Sequence, residues 1–385
     1  MAQVTHWIDS FPDNFKYSNA TLVCKGLAPY GAVAIGEIDA ITDRIAQRGE
    51  DPNAWVEAWG AMAQKLESEA EAAAAAGRHH SAGHLFLRAG FYHYTGERFI
   101  APGEEKRRHY MKSLRCCQEG LRRRYPEIEF VEVPYENTTL PAYFLKARGV
   151  SGPAPTVVVF DGMDNCKEMS ILFCGLEFSL RGMNVLSIDG PGQGEALRAR
   201  GIHSRYDYEV PGAAAYEYVS RRPEVDPQRV AVMGYSFGGY QVPRICAFEK
   251  RYAAGVAFGA MHWDIAAWVE QIYRDNLSNP RGSFSTPFQF QWVVGAGSEQ
   301  EAMAIAKKFS LEGVAERVEC PFLILHGEED RVVRVDSAHR LHAAIGARRK
   351  TLKIFTREEG AAEHVQVDDR QRGVDYIGDW LAENM

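Results

Sequence analysis

A serine, an acid and a histidine, met in that order along the chain, carry the chemistry this sequence can support. The serine is Ser236 in Gly234-Tyr235-Ser236-Phe237-Gly238, after the apolar run Val230 to Met233 and before a helical pattern. A strand that turns sharply into a helix exposes the hydroxyl at its apex, and the flanking glycines leave room where side chains would collide. The helix then aims its first N–H groups at negative charge developing beside the serine. A glycine-rich turn with a solvated serine reads the same way, so the partners decide. Phe322-Leu323-Ile324-Leu325 reads as a strand, and the turn after it, His326 to Asp330, presents an acid. Leu352 to Phe355 reads as another strand, followed by a loop that carries His364. Ser236, Asp330, His364 is the order of α/β-hydrolases, whereas other triad folds use other orders.

A serine hydroxyl is a poor nucleophile until a base takes its proton, the role expected of His364. Asp330 would fix the imidazole tautomer and offset its charge. Two backbone amides are needed for an oxyanion: that of Phe237, and one from Gly162-Met163 after the strand Thr156 to Phe160. Met163 is favoured, because Gly162 lets the chain turn so that the next amide points inward. Among rivals, Asp336 stands where a helix starts and has a capping explanation. His326 is expected to be structural, and His339 and His342 to lie on a surface helix. Glu359 and Glu363 flank His364, where they would either tune its pKa or face solvent, and solvent is the expectation. Asp189-Gly190-Pro191-Gly192-Gln193-Gly194-Glu195 follows a strand, but its glycine spacing and its proline do not fit a dinucleotide fingerprint. It is expected to shape the floor of the site, and no cofactor is expected.

These residues need a scaffold, and the periodicity supplies an α/β one. Residues 1–34 are mixed in pattern and are read as an N-terminal extension. From 35 to 126 the apolar spacing is helical: Ile38, Ile41, Ile45, then Trp55, Trp59, Met62, Leu66, then Ser81 to Phe99 and Glu104 to Arg124. Core packing is the expected job of the aromatic residues there. His80 and His84 have metal-ligand spacing but no third ligand in a recognisable motif, so no metal is expected. From 127 to 385 strands and helices alternate after a starting hairpin, which predicts a doubly wound, mostly parallel sheet. An aromatic-rich insertion over about 261–318, with Trp263 and Trp268, interrupts the alternation and is expected above the strand ends.

With 46% hydrophobic and 25% charged residues in 385, the composition is that of a soluble globular enzyme. A net charge of -7 argues against nucleic acid as a partner. Seven cysteines without a C-x-x-C pair, no signal-like N-terminus and no long apolar run predict a cytoplasmic protein with no membrane partner.

The triad motifs, the Asp189 to Glu195 loop and the helical N-terminal region together resemble one branch of the α/β-hydrolases. That branch holds 2,6-dihydroxypseudooxynicotine hydrolase, the fungal polyketide-shortening hydrolases of pigment synthesis and the FrsA-like esterases. The resemblance runs from about Ile35 to the C-terminus. It implies a helical domain covering the active site, a homodimer, and a Ser-Asp-His triad that cleaves a carbon–carbon bond beside a ketone, or an ester. It also implies an acid assisting substrate protonation after the sixth strand, where Asp264 and Glu270 stand. The oxyanion loop, Asp161-Gly162-Met163-Asp164-Asn165, is more polar than in the pyridine-ketone hydrolase, and the insertion is longer, so the same substrate does not follow. With Trp263 and Trp268 lining an apolar pocket for a flat small molecule, carbon–carbon bond hydrolysis of an aryl-ketone or polyketide-type substrate is the first expectation. A carboxylesterase or thioesterase is the second. A prolyl-oligopeptidase-type peptidase shares G-x-S-x-G-G but needs an upstream propeller that nothing here resembles. A ligand-binding protein on a hydrolase fold commonly lacks a triad member, and here all three are present.

Overall fold

Helices carry the chain as far as its first strand in the computed structural model, which describes residues 7–259 and 263–385. They are α1 (Phe15–Lys25), α2 (Ile35–Gln47), α3 (Pro52–Ala75), α4 (His79–Glu97) and α5 (Glu104–Arg124). Local chemistry explains their starts: Asp51 accepts from the Asn53 and Ala54 amides at the head of α3, and Asn14 accepts from Tyr17 N at the head of α1. Trp55, Trp59 and Tyr92 are fully buried, with ring centroids 5.5 Å apart for the tryptophan pair and 5.7 Å for Trp59–Tyr92, so these aromatics are core. The structure adds order where the sequence showed no clear pattern. α1 buries Ser18, Asn19 and Thr21, and Ser18 Oγ both donates to Phe11 O (2.8 Å) and accepts from Phe11 N (2.9 Å).

Two compact units result: residues up to Ile128 together with Ile272–Gln289, and Glu129–Gln271 together with Phe290–Met385. A middle stretch of the aromatic-rich insertion therefore packs in the helical unit. The insertion's first residues, 261 and 262, lie outside the described residues, and its helices are Ile265–Ser278, Phe288–Val293 and Glu299–Ala306.

The second unit is built on an eight-stranded sheet: β1 (Glu129–Tyr135), β2 (Thr138–Leu145), β3 (Ala154–Phe160), β4 (Asn184–Ile188), β5 (Val225–Tyr235), β6 (Ala254–Phe258), β7 (Phe322–Gly327) and β8 (Lys350–Phe355). Their spatial order is β1-β2-β4-β3-β5-β6-β7-β8. β1 and β2 pair antiparallel through a two-residue turn with Glu136 at φ 48°, and β2 meets β4 antiparallel. Every later pairing is parallel. Val157 to Phe160 and Val230 to Met233 are buried, as strands covered on both faces must be. The expected doubly wound, mostly parallel α/β sheet is therefore present. Two details differ from the sequence reading. The helix after β3 passes through a π-helical segment, Ile171–Gly175, and a helix at Glu209–Ser220 precedes β5.

Candidate active site

β5 delivers Ser236 on a strained turn. Its φ of 56° lies in the left-handed region, which costs a residue with a Cβ about 1–3 kcal/mol and persists only where surroundings over-determine it. A Cβ on Gly234 would stand 2.6 Å from Gly238 O, so the turn closes only with glycine there. Ser236 N donates to Phe258 O at 2.9 Å, pinning the apex to the end of β6.

The end of β7 delivers the acid. Asp330 Oδ1 accepts from Val332 N (2.8 Å) and Val333 N (2.7 Å), which leaves Oδ2 directed at His364. His364 Nδ1 lies 2.6 Å from Asp330 Oδ2, and His364 Nε2 lies 2.8 Å from Ser236 Oγ. A carboxylate only accepts, so Nδ1–H donates to Asp330 and Nε2 is left to accept the serine proton. Burial by itself would raise the Asp330 pKa. The neighbouring His364 and His326 and the Val333 amide outweigh it and bring the pKa below the ordinary carboxylate value. The three residues that the sequence singled out are thus brought together by side chains from three separate strand ends.

His326 is buried and donates from Nε2 to Val333 O at 2.8 Å, with Asp330 Oδ2 farther away at 3.4 Å. It shapes the acid loop. Asp336 is exposed and faces Arg334 (3.3 Å). Glu359 is partly exposed and holds Lys353 (2.5 Å) and Thr356 N (3.0 Å). The expectation of solvent fails for Glu363. It is buried beside His364, and its two oxygens face Arg331 at 3.4 Å. Spacing alone gives no sign of this, because the burial comes from the loop folding back: Asp368 accepts from the Ala362 and Glu363 amides, and Ala361, Val365 and Gln366 all take positive φ.

A Cβ on Gly162 would come within 3.1 Å of Ser236 Cβ, so the loop after β3 lies against Ser236. Phe237 opens the helix Gly238–Phe248, and Met163 is buried. Among the described residues neither the Phe237 nor the Met163 amide donates to a backbone carbonyl. The residues offered as substrate contacts are more scattered. Trp263 lies under Arg340 (4.5 Å), and Trp268 donates from Nε1 to Val332 O (3.2 Å), beside the acid loop. Asp264 is exposed and caps the helix Ile265–Ser278 through Ala266 N (3.0 Å), and Glu270 is exposed.

For metals, the His80 and His84 rings stand 5.0 Å apart on the surface side of α4. A different trio, Glu67, His93 and Cys116, is buried with its ligand atoms within 4.8 Å of one another. Its Glu67 already meets His93 Nε2 (3.0 Å) and the Arg115 guanidinium, which supplies the positive charge an ion would otherwise bring. The seven cysteines are all free thiols. Among the described residues no helix is long and apolar enough to cross a membrane.

Comparisons with known proteins follow the same lines. The model of the esterase FrsA-like family matches residues 42–278, and that of the prolyl oligopeptidase family matches residues 176–385. The hydrolase LUC6 of a Fusarium species is 30% identical over 347 residues, covering 82% of both chains. The 2,6-dihydropseudooxynicotine hydrolase of Paenarthrobacter nicotinovorans is 27% identical over 279 residues, covering 72% of this chain and 71% of that one. The solved structure of 2,6-dihydroxy-pseudo-oxynicotine hydrolase superposes with a TM-score of 0.75 at 23% identity, over 94% of this chain and 95% of its own, which is a likeness of fold.

Proposed function

The chain belongs to the FrsA-like esterase family of α/β-hydrolases and is a hydrolase, and we propose that it is a serine hydrolase cleaving a carbon–carbon bond beside a carbonyl. The observation that carries this reading is the unbroken run Ser236 Oγ, His364 Nε2 at 2.8 Å, His364 Nδ1, Asp330 Oδ2 at 2.6 Å. In it, Ser236 Oγ attacks the carbonyl carbon of an aryl-ketone or polyketide-type substrate while His364 takes its proton. The oxygen that becomes negative is received by the Phe237 and Met163 amides. Collapse of the tetrahedral intermediate breaks the bond to the neighbouring carbon, whose electron pair is delocalised into an adjacent carbonyl as an enolate. His364 returns the proton to that leaving group. Water, activated by the same histidine, then hydrolyses the acyl-serine and restores the hydroxyl.

Support for the carbon–carbon reading comes from the relationship to 2,6-dihydropseudooxynicotine hydrolase and from the aromatic insertion, with Trp268 beside the acid loop. The second reading, an esterase or thioesterase, is favoured by the FrsA-like match and needs only an alkoxide or thiolate as leaving group. The peptidase reading draws on the prolyl oligopeptidase match, yet the described residues ahead of β1 are helical, with no propeller. We place the enzyme in the cytoplasm as a cofactor-free homodimer acting on a small molecule.

The deciding experiment treats wild type and Ser236→Ala with a fluorophosphonate probe and with a panel of aryl ketones, 1,3-diketones and p-nitrophenyl esters. Wild type is expected to be labelled and to cleave ketones, and the variant to do neither. Ester turnover without ketone cleavage would move the assignment to the esterase. A folded wild type that never labels would end the serine-hydrolase reading.

A further inference from the structure

Asp161 follows β3 and immediately precedes Gly162-Met163, and it is fully buried. Its Oδ1 accepts from Tyr235 Oη at 2.9 Å and from Ser170 Oγ, and those two hydroxyls lie 2.9 Å from each other. Tyr235 is the residue before Ser236. The main-chain oxygen of Asp161 accepts from Gln193 Nε2, while Gln193 Oε1 accepts from Gly190 N at 2.9 Å. One residue therefore joins the loop after β3, the strand end that carries Ser236 and the Asp189 to Glu195 loop.

The far oxygen, Oδ2, receives no donor among the described residues, and the neighbouring acid across the sheet is Asp189, which follows Ile188 as Asp161 follows its pair partner Phe160. Two fully buried acids thus stand at the ends of adjacent strands, each directly after the paired residues Phe160 and Ile188. If both were ionised, each would add like-charge repulsion to a desolvation penalty. A single proton between them removes the conflict, and their partners decide where it sits. Asp189 accepts from Lys167 N (2.7 Å), Lys167 Nζ (3.0 Å) and Glu195 N (2.7 Å), so it is provided for as an anion. Asp161 has only neutral hydroxyls. Burial first, and then the charge of Asp189, push the Asp161 carboxyl well above the ordinary range.

We propose that Asp161 is the positioning residue of the oxyanion loop: a neutral acid whose Oδ2–H donates to the Asp189 carboxylate while Oδ1 holds Tyr235 and Ser170. The positioning role rests on the reading of Ser236 as nucleophile. Fixing Asp161 at both oxygens and at its carbonyl sets the direction of the next two peptides, and those carry the Met163 N–H. The titratable and charged groups around it are Asp189 and Lys167, Tyr235 on β5, Tyr208, Cys174 in the π-helical segment and Arg370 on the C-terminal helix.

The test compares wild type, Asp161→Asn and Asp161→Ala, using the maximal rate of fluorophosphonate labelling and the probe concentration that half-saturates it. Infrared difference spectroscopy on the full chain provides the second readout. Asparagine reproduces a neutral acid, one donor toward Asp189 and one acceptor toward Tyr235 and Ser170, so D161N is expected to label within about threefold of wild type. D161A is expected to lose about 100-fold in maximal rate, the scale of one misplaced oxyanion donor, with half-saturation nearly unchanged. Wild-type labelling should decline at alkaline pH as Asp161 ionises, and D161N should lack that decline. A protonated-carboxyl stretch in wild type should be missing from D161N. If D161A fails to fold, D161N and the infrared band still decide. A D161N protein that folds but labels as poorly as D161A, or the absence of the band, would overturn the proposal. Wild-type protein that never labels would count against Ser236 itself, whereas a labelled wild type with an unimpaired D161A counts against Asp161 alone.

Discussion

The two loops that meet at the serine–histidine contact are held in opposite ways. At the Ser236 turn the chain is fixed by sterics: Gly234 has no space for a Cβ, Ser236 sits at φ 56°, and one backbone hydrogen bond ties it to β6. In the histidine loop Ala361, Val365 and Gln366 take φ of 61°, 45° and 50° without glycine. What holds them is polar. Asp368 collects the Ala362 and Glu363 amides, Glu329 N donates to Ala362 O (3.0 Å), and Glu363 faces Arg331 (3.4 Å). The first loop is specified by shape and the second by polar contacts, so the two should fail under different insults.

The largest expected effect comes from uncoupling the loops where they join. Asp330→Asn keeps the shape but turns an acceptor-only group into one that can donate, so His364 loses the partner that selects its tautomer. Turnover is expected to fall about 10⁴-fold, with the melting temperature little changed. A loss under tenfold would mean that another group orients His364. Next, Gly234→Val tests the steric side. Its side chain would meet Gly238 O, Gly238 C and Val242 Cγ2 within 2.8 Å, so the turn must open. Unfolding should ease by about 1–3 kcal/mol, the usual scale of overpacking, and labelling of Ser236 should fall about 100-fold or more. Thermal melts and labelling rates check both. Normal labelling by G234V would show that the turn is more pliable than its geometry implies.

The same contrast explains what could be read from the sequence. Steric requirements leave a residue-type signature at fixed spacing, and the G-x-S-x-G turn and the chain order of acid and histidine were legible for that reason. So were the helices with wide apolar stripes, α2 and α3, and the strands buried on both faces. Charge and hydrogen-bond requirements are met by residues distant in sequence, and they leave no local pattern. Glu363 looks solvent-facing beside Glu359 in the chain, and only the fold-back through Asp368 buries it. α1 escaped for a related reason: beside Tyr17, Ala20, Leu22 and Cys24 it buries Ser18, Asn19, Thr21 and Lys25, whose partners include Phe11, Ser10 and Asp39, so its inner face mixes polar with apolar residues. The π-helical segment Ile171–Gly175 is likewise invisible to a helical period. Trp263, Asp264 and Glu270 stand out in the sequence only by position in an insertion, and position alone does not tell a helix cap such as Asp264 from a group that meets substrate.

Glu363 gives the smallest effect and the sharpest separation of the two loops. Burial raises its pKa from 4.5 to about 7, Arg331 opposes the rise, and Asp368 and Asp330 add to it. Between pH 4.5 and about 7 the folded chain therefore keeps a proton that the unfolded chain has released. The associated stability is complete below 4.5 and is lost as pH climbs through about 7. Glu363→Gln keeps the neutral form at every pH. Urea midpoints of wild type should decline relative to those of E363Q across that window, leaving the variant the more stable at pH 8. G234V should decline in parallel with wild type, because nothing titratable was changed at the turn. Parallel curves for wild type and E363Q would mean that Arg331 keeps Glu363 ionised throughout, so that the histidine loop is held by an ion pair that does not titrate in this window.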